Sequence, residues 1–327
     1  MRKATAALAA VAALAAVSCT DRIFEPSQRR QQQNTGNKVE MQVQDIVFDD
    51  LTRVEASSDE ASGMSFRWSA KDTVGVYSTE GGFSRYTLSG GEGMASATFD
   101  GQGFTLTPGS TYYAMYPYDG GKSDPTAVEI SYEGRKVSAS NSIADILPYD
   151  PLFASAEAGV NGGANFNFGH FSSFARFGFN LPAADSILSI DLLPSYEGIT
   201  PGGSLDITTG TWTPAAGKTV TTIPTGIKTA SKGQNVKLWV PFAPQDFSGN
   251  DIAAVMHGYS GAIYTARIEG KNMQGGRAYR WESDMVKYGD GGSPSSSLSL
   301  KKDNTLSLDI IIGKTRREPF HNEMRFS

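Results

Sequence analysis

Residues 164–181 read ANFNFGHFSSFARFGFNL, and this stretch carries a clear structural signal. Bulky side chains recur at every second position on either side of the Ser172–Ser173 step. They are Phe166, Phe168, His170, Phe177, Phe179 and Leu181. A period of two is typical of a strand that buries one face, whereas a helix repeats every ~3.6 residues. The stretch therefore predicts two successive strands.

The same alternation recurs along much of the chain. It is present at Val39/Met41/Val43, Val128/Ile130/Tyr132, Leu188/Ile190/Leu192 and Val236/Leu238/Val240. Glycine and proline separate these runs, and no amphipathic helix of three turns or more interrupts them. We therefore predict an all-β protein with two β-sandwiches in series, over residues 39–160 and 161–288.

Length, charge and cysteine content exclude several classes of protein. The chain has 327 residues, a formal net charge of −5, one cysteine and three histidines. An acidic chain without bulk basic charge does not favour nucleic acid as a partner. One cysteine cannot form an intrachain disulfide or a multi-cysteine zinc site. No P-loop, HExxH or dinucleotide fingerprint occurs, so we expect no cofactor and no metal.

The first 18 residues have the order of a secretory signal peptide. Arg2 and Lys3 precede an alanine-rich apolar run that is shorter than a membrane-spanning helix. Cys19 follows directly, and Ala16-Val17-Ser18-Cys19 resembles the lipobox of bacterial lipoproteins, with Ala16 where leucine is usual. This implies cleavage before Cys19 and a lipid anchor, with acyl chains such as palmitate, on its thiol. The alternative is an ordinary cleavage site beside a chance cysteine.

Polar segments lie at both ends of the predicted sandwiches. Residues 19–38 are polar with a glutamine run and are predicted to be a lipidated, flexible tether. Residues 289–327 begin with a Gly/Ser linker, which precedes a further strand pattern. The apolar residues of that pattern are Leu306, Leu308, Ile310 and Ile312.

Candidate catalytic residues are few, and each has a simpler structural explanation. His257-Gly258-Tyr259-Ser260-Gly261-Ala262 approaches a nucleophile elbow, but strand-like residues flank it on both sides, so a hairpin turn is expected. His170 lies among aromatic residues and is expected to be buried and hydrogen-bonded. Carboxylate pairs suited to glycoside cleavage occur by chance in a chain with 34 acidic residues. We predict that the protein is not an enzyme.

Four tryptophans leave two interpretations open. Trp68, Trp212, Trp239 and Trp281, together with the tyrosine clusters, could stack on sugars at the surface. The simpler explanation is that they fill the cores of the sandwiches.

Several segments, taken in order, resemble the fimbrillin family of lipoprotein pilus subunits. They are Thr52-Arg53, Phe66-Arg67-Trp68, residues 71–77 (KDTVGVY), 113–117 (YAMYP), 145–147 (DIL), 166–177 (FNFGHFSSFARF) and 276–279 (GRAY). The resemblance covers about residues 40–285 and follows the signal peptide and Cys19. It implies two transthyretin-like β-sandwich domains, no enzymatic activity and a place on the outer membrane, in a fimbrium.

The resemblance also implies a mechanism of assembly. A trypsin-like, Arg-specific protease would cut after Arg53, and loss of the strand Val39–Phe48 would open a groove for a strand from another fimbrial subunit. The donor would be the terminal run, with Leu306, Leu308, Ile310 and Ile312 as pocket-filling residues. Arg29 and Arg30 are rival cleavage sites that would release only tether, and Arg53 could equally be an ordinary surface arginine.

Three functions remain open from the sequence. The first is a pilus subunit, anchor or tip adhesin with a host or bacterial surface ligand, and it predicts an apolar first strand at a sheet edge. The second is a monomeric glycan-binding lipoprotein of the outer membrane, and it predicts exposed aromatic side chains on one face. The third, an extracellular hydrolase, requires a cleft with two carboxylates ~5–10 Å apart.

Overall fold

The structure of the chain is a computed structural model. It describes residues 38–48, 64–137, 145–227, 231–288, 296–300, 305–310 and 323–325, the last three ranges as backbone. The described residues form strands, with one short 3-10 turn at Leu147–Tyr149, so the prediction of an all-β protein is confirmed. Among these residues there is no helix long and apolar enough to cross a membrane.

The strands are numbered along the chain. The first twelve are β1 (Lys38–Val43), β2 (Val47–Phe48), β3 (Thr73–Ser78), β4 (Gly82–Gly90), β5 (Ser96–Gly101), β6 (Thr111–Tyr116), β7 (Val128–Ser131), β8 (Leu152–Glu157), β9 (Ala164–His170), β10 (Ser173–Asn180), β11 (Ile187–Pro194) and β12 (Gly202–Asp206). The others are β13 (Thr211–Pro214), β14 (Thr221–Pro224), β15 (Asn235–Phe242), β16 (Gln245–Asp246), β17 (Ile252–Gly258), β18 (Ile263–Ile268), β19 (Asn272–Met273), β20 (Arg277–Asp284), β21 (Val286–Tyr288), β22 (Ser296–Leu300), β23 (Thr305–Ile310) and β24 (Glu323–Arg325).

Seven strands form a sheet that closes on itself, in the order β1, β5, β4, β3, β6, β8, β9. Neighbours run antiparallel except β1 and β9, whose parallel pairing completes the ring. Alternate side chains point inward, as the period of two requires, and form one apolar core around Trp68, Phe99 and Phe168. This ring places the first strand of the fold between two partners.

Two further sheets bury a second apolar core between them. One has the order β15, β10, β20, β2, and the other has the order β14, β11, β17, β18, β21. Phe177 and Leu238 reach this core from the first sheet, and Leu192 and Met256 reach it from the second. The run Val236/Leu238/Val240 buries one face, as predicted, whereas β10 is buried on both faces and Phe174 reaches a separate cluster. In β11 the prediction is wrong at Leu188, which is 42% exposed, because the register with β17 shifts between Ile187 and Ser189 and Ile187 is buried in its place.

Shared sheets and a shared core join the two halves. β7 from the first half pairs with β12 from the second, and β13 extends that sheet. A third apolar cluster combines Tyr118 and Phe153 with Leu205 and Ala243. The first strand region also spans the halves, because β1 lies in the closed sheet and β2 pairs with β20.

The position of β9 differs from the expectation that Phe166, Phe168 and His170 open the second unit. β9 pairs with β8 and β1, and its side chains lie in the core of the closed sheet. The chain passes to the other sheets at Phe171–Ser172, just before β10. The alternation is the same in both strands, so it carries no information about the partner of either one. Tandem transthyretin-like sandwiches with a boundary near residue 160 stay a prediction.

Candidate functional site

The first strand lies between two partners rather than at a sheet edge. β1 pairs antiparallel with β5, from Lys38 opposite Asp100 to Gln42 opposite Ser96. On its other side it pairs parallel with β9, from Val39 opposite Ala164 to Val43 opposite Phe168. The expectation of an edge position is therefore wrong. Removal of β1 would open the ring and leave two edges with unpaired backbone groups.

Side-chain contacts also hold this strand, in addition to its two ladders. Val39, Met41 and Val43 point into the core of the closed sheet, and all three are buried. The indole N–H of Trp68 donates a hydrogen bond to the Met41 carbonyl at 3.0 Å. Trp68 is itself packed edge-on against Phe99 and Phe168, at centroid distances of 5.0 and 5.6 Å. The core therefore contacts both the side chains and the backbone of β1.

The strand breaks at Gln44 and Asp45. The Gln44 N–H donates to the Phe168 carbonyl at 3.3 Å, and beyond this point the ladder with β9 ends. The Asp45 carboxylate turns outward and accepts hydrogen bonds from the Phe66 N–H and the Arg67 guanidinium, at 3.3 and 3.4 Å. Two residues of irregular backbone therefore separate β1 from β2.

A buried His170–Asp150 pair lies beneath the break. Nε2 of His170 is 2.7 Å from the Gln44 carbonyl oxygen, and Nδ1 is 2.5 Å from Oδ2 of Asp150. The carbonyl can only accept, so Nε2 carries a proton, and in the imidazolium Nδ1 donates to the carboxylate. Both side chains are 2% exposed. The expectation that His170 is buried and hydrogen-bonded is confirmed.

The charge state of His170 follows from this geometry. Burial by itself would lower the pKa of His170, but the Asp150 carboxylate and the two hydrogen bonds outweigh it and hold the pKa above its ordinary value. Asp45 adds a smaller contribution in the same direction. The imidazolium form of His170 donates to the Gln44 carbonyl and to the Asp150 carboxylate at the same time. It is therefore the form that best stabilises the irregular backbone between β1 and β2.

After the break the strand crosses into the other half of the molecule. Ile46 exchanges both backbone hydrogen bonds with Met64, at 3.0 and 2.8 Å. Phe48 then pairs with Ala278 of β20, its ring lies 5.7 Å from that of Trp239, and the Arg280 guanidinium lies 4.3 Å from its centroid. Ile46 and Phe48 are buried in a separate apolar cluster, so the two parts of the strand occupy two different cores.

The predicted processing and anchoring residues lie outside the described part of the chain. This holds for Cys19, Arg29, Arg30, Arg53 and Ile312. Leu306, Leu308 and Ile310 fall in β23, which pairs with β22 and β24 in a sheet made of tail residues. The lipid site, the cleavage site and the donor strand stay predictions.

The four tryptophans pack in or against the apolar clusters, and the candidate nucleophile elbow is a turn. Trp68 is buried, and Trp212, Trp239 and Trp281 are partly buried and packed against apolar clusters, so the core-filling interpretation is confirmed for all four. Residues 259–262 form the turn between β17 and β18, as expected for a hairpin rather than a nucleophile elbow. Within the described ranges, no three His, Cys, Asp or Glu residues are grouped so that they could hold a metal ion.

Sequence patterns did not reveal three contributors to the site. Asp150, Met64 and Gln44 carry no periodic signal, because their roles depend on contacts 18 to 126 residues away along the chain. One clue was present. The apolar residues of the first strand skip from Val43 to Ile46, which breaks the period of two and marks the position of the irregular backbone.

Comparisons with known proteins agree with this architecture. A family model described as fimbrillin-like matches residues 52–307. A "putative cell adhesion protein" from Bacteroides ovatus aligns with a TM-score of 0.52 at 16% identity, over 78% of this chain and 97% of that chain. Another from Bacteroides uniformis aligns with a TM-score of 0.48 at 15% identity, over 68% of this chain and 91% of that chain. None of the curated proteins compared with the chain matches it. At 16% identity the likeness to the Bacteroides ovatus protein supports the fold alone.

Proposed function

The chain belongs to the fimbrillin-like family, and on that premise we propose that it is a non-enzymatic pilus subunit or accessory adhesin assembled by protease-triggered strand exchange. The family places it among adhesion and pilus proteins of the cell surface. The strand exchanged is residues 38–48, and its release requires a cut in the segment that follows. Arg53 is the proposed cleavage residue, because it is five residues beyond the end of β2 at Phe48.

The double pairing of β1 is the observation that carries this proposal. Once β1 leaves, β5 and β9 each present a row of unpaired N–H and C=O groups around an uncovered apolar core. Such an opening is a template for a strand of another chain. Main-chain hydrogen bonds supply affinity there, and the positions left by Val39, Met41 and Val43 act as side-chain pockets.

Cleavage and release are separate events. The strand buries five apolar side chains (Val39, Met41, Val43, Ile46 and Phe48), each worth about 1.5–3 kcal/mol when fully buried. A cut after Arg53 leaves these contacts in place, so the severed strand stays bound until another strand replaces it. This protects the subunit from exposing its core before a partner is present.

The proposed donor is the terminal run of another fimbrial subunit, represented in this chain by Leu306, Leu308, Ile310 and Ile312. In this chain, residues 305–310 form β23 and pair with β22 and β24. Donation therefore requires β23 to leave the tail sheet. The proposed exchange applies equally to a stalk, an anchor or a tip subunit.

We further propose that the mature chain begins at Cys19 and is held on the outer membrane through lipid on that residue. Several acyl chains on one cysteine anchor a protein firmly, since each buried CH₂ adds about 0.8 kcal/mol. The partners are then the outer membrane, the Arg-specific protease and the neighbouring subunits. A tip position would add a ligand on a host or bacterial surface. The proposed role involves no cofactor and no nucleic acid.

Limited digestion of the lipid-free mature protein with an Arg-specific protease tests the processing step. We expect one cut after Arg53, found by N-terminal sequencing, followed by growth of oligomers on sizing. An Arg53→Ala variant should resist this cut and stay monomeric, whereas an Arg29→Ala/Arg30→Ala variant should behave like the parent. Unchanged processing and assembly of Arg53→Ala would contradict the proposal. A resistant parent monomer would favour a glycan-binding surface lipoprotein instead.

A further inference from the structure

We propose that the groove around residues 38–48 recognises a two-part strand, and that His170 is the positioning residue that selects the break between the parts. The partner is a segment of another subunit with apolar side chains at its first, third, fifth, eighth and tenth positions, counted from the site of Val39. Its place in pilus assembly rests on the function proposed above, whereas the selectivity of the groove does not.

The spacing follows from the two cores that the strand enters. Val39, Met41 and Val43 fill one core at a period of two, and Ile46 and Phe48 fill another core at the same period. The interval from Val43 to Ile46 is three residues. An uninterrupted strand in register with the first part would point residues 45 and 47 inward, whereas Asp45 and Val47 point outward here. Such a strand fits one part of the groove only.

The break is held from both sides. Below it, His170 donates to the Gln44 carbonyl at 2.7 Å, an acceptor that has left the ladder with β9. Above it, Met64 pairs with Ile46 through two backbone hydrogen bonds. A strand that continued straight would leave the buried Nε2–H of His170 without this acceptor, and a buried unpaired donor is costly. His170 therefore favours a strand whose carbonyl is free at the sixth position.

The terminal run of this chain fits only the first part. With Leu306, Leu308 and Ile310 at the sites of Val39, Met41 and Val43, and the direction of the first strand kept, Gly313 and Thr315 reach the sites of Ile46 and Phe48. Shifting the run by two residues brings Thr315 and Arg317 there instead. A second copy of this chain is thus a poor occupant, and a different subunit is the better one.

Peptide exchange on the full mature chain measures this selectivity. The recognition sequence of a site-specific protease is inserted after Arg53, the protein is cut there, and labelled peptides compete for the groove. The first peptide is residues 38–48, KVEMQVQDIVF. The second lacks Asp45, which places all five apolar residues at a strict period of two. The third is residues 305–315, TLSLDIIIGKT, in the register just described.

We expect the first peptide to be captured at least about tenfold more tightly than the other two, since each lost buried contact or hydrogen bond costs a comparable factor. His170→Gln should weaken capture of the first peptide and leave the second unchanged, so the ratio falls. His257→Gln is the matched control, because His257 also pairs with an aspartate (Asp191, 2.8 Å) but lies far from the groove on β17. It should preserve the ratio.

Equal capture of the first and second peptides, or an unchanged ratio in His170→Gln, would overturn the inference. If His170→Gln does not fold, a first peptide with a trans-alkene in place of the Gln44–Asp45 amide removes the carbonyl while the protein stays unaltered. That peptide should lose about tenfold in capture, and no loss would contradict the role of His170. The introduced cut keeps this test independent of Arg53, so a failure of natural processing leaves its result readable.

Discussion

The two parts of the first strand are held by different forces. β1 has ladders on both sides, with β5 and β9, in addition to its three buried side chains. β2 has a single parallel partner, β20, and its contacts are dominated by the packing of Ile46 and Phe48. Backbone ladders accept almost any residue, whereas packed side chains accept few. The comparison indicates that ladders and packing together hold β1, whereas packing dominates at β2.

Truncation in β2 should have the largest effect. Phe48→Ala removes a fully buried ring that packs against Trp239 and the Arg280 guanidinium, and we expect it to lower the free energy of unfolding by about 3–5 kcal/mol. Val47→Ala is the matched control on the same strand, since Val47 is 42% exposed, and should change stability by about 0.5 kcal/mol or less. Denaturant unfolding compares them. Equal effects would mean that side-chain packing does not distinguish β2.

The stability that His170 contributes at the break between β1 and β2 should depend on pH. The folded pKa of His170 is raised, so its contribution is fully present below the ordinary histidine pKa of about 6.5 and is lost as pH rises through the folded value. The charged groups that face the imidazole are Asp150 and Asp45. Loss of one charge-assisted hydrogen bond should lower stability by about 1.5–3 kcal/mol over this range.

Unfolding measured in denaturant between about pH 5.5 and 9 checks this expectation. His170→Gln should remove most of the decline, whereas His257→Gln, whose pair with Asp191 is more exposed, should retain it. Parallel pH profiles for the parent and His170→Gln would show that the buried pair does not respond to pH as the geometry indicates.

The contacts of Asp45, on the outer side of the break, should contribute least to the free energy of unfolding. Asp45→Ala removes a half-exposed carboxylate that accepts from the Phe66 N–H and Arg67. Surface pairs of this kind contribute about 0–1 kcal/mol, so a loss in that range is expected. Arg67→Ala keeps the hydrogen bond from the Phe66 N–H to Asp45 but removes two bonds that Arg67 donates, to Asp45 and to the Phe66 carbonyl at 2.6 Å, so a loss within the same range is expected. A loss above about 2 kcal/mol for Asp45→Ala would indicate that the outer contacts, rather than His170, hold the break.

Part of the site could be predicted from the sequence and part could not. The alternation at Val39, Met41 and Val43 predicted a strand with one buried face, and the aromatic surroundings of His170 predicted its burial. The edge position predicted for the first strand was wrong, because pairing with β9 depends on residues 125 positions away, and no local pattern reports such a partner. Asp150 was missed for the same reason.

By itself, the sequence determined the all-β class, the buried faces of strands such as β1 and β15, and the skip between Val43 and Ile46, since side-chain periodicity is a property of neighbouring residues. Only the tertiary structure decided which strands pair, that β9 belongs to the closed sheet, and that the skip carries the chain from one core to another over a buried His170–Asp150 pair. Strand pairing joins residues that are distant in the chain. An alternating strand fits many such partners equally well until the cores on both sides are assembled.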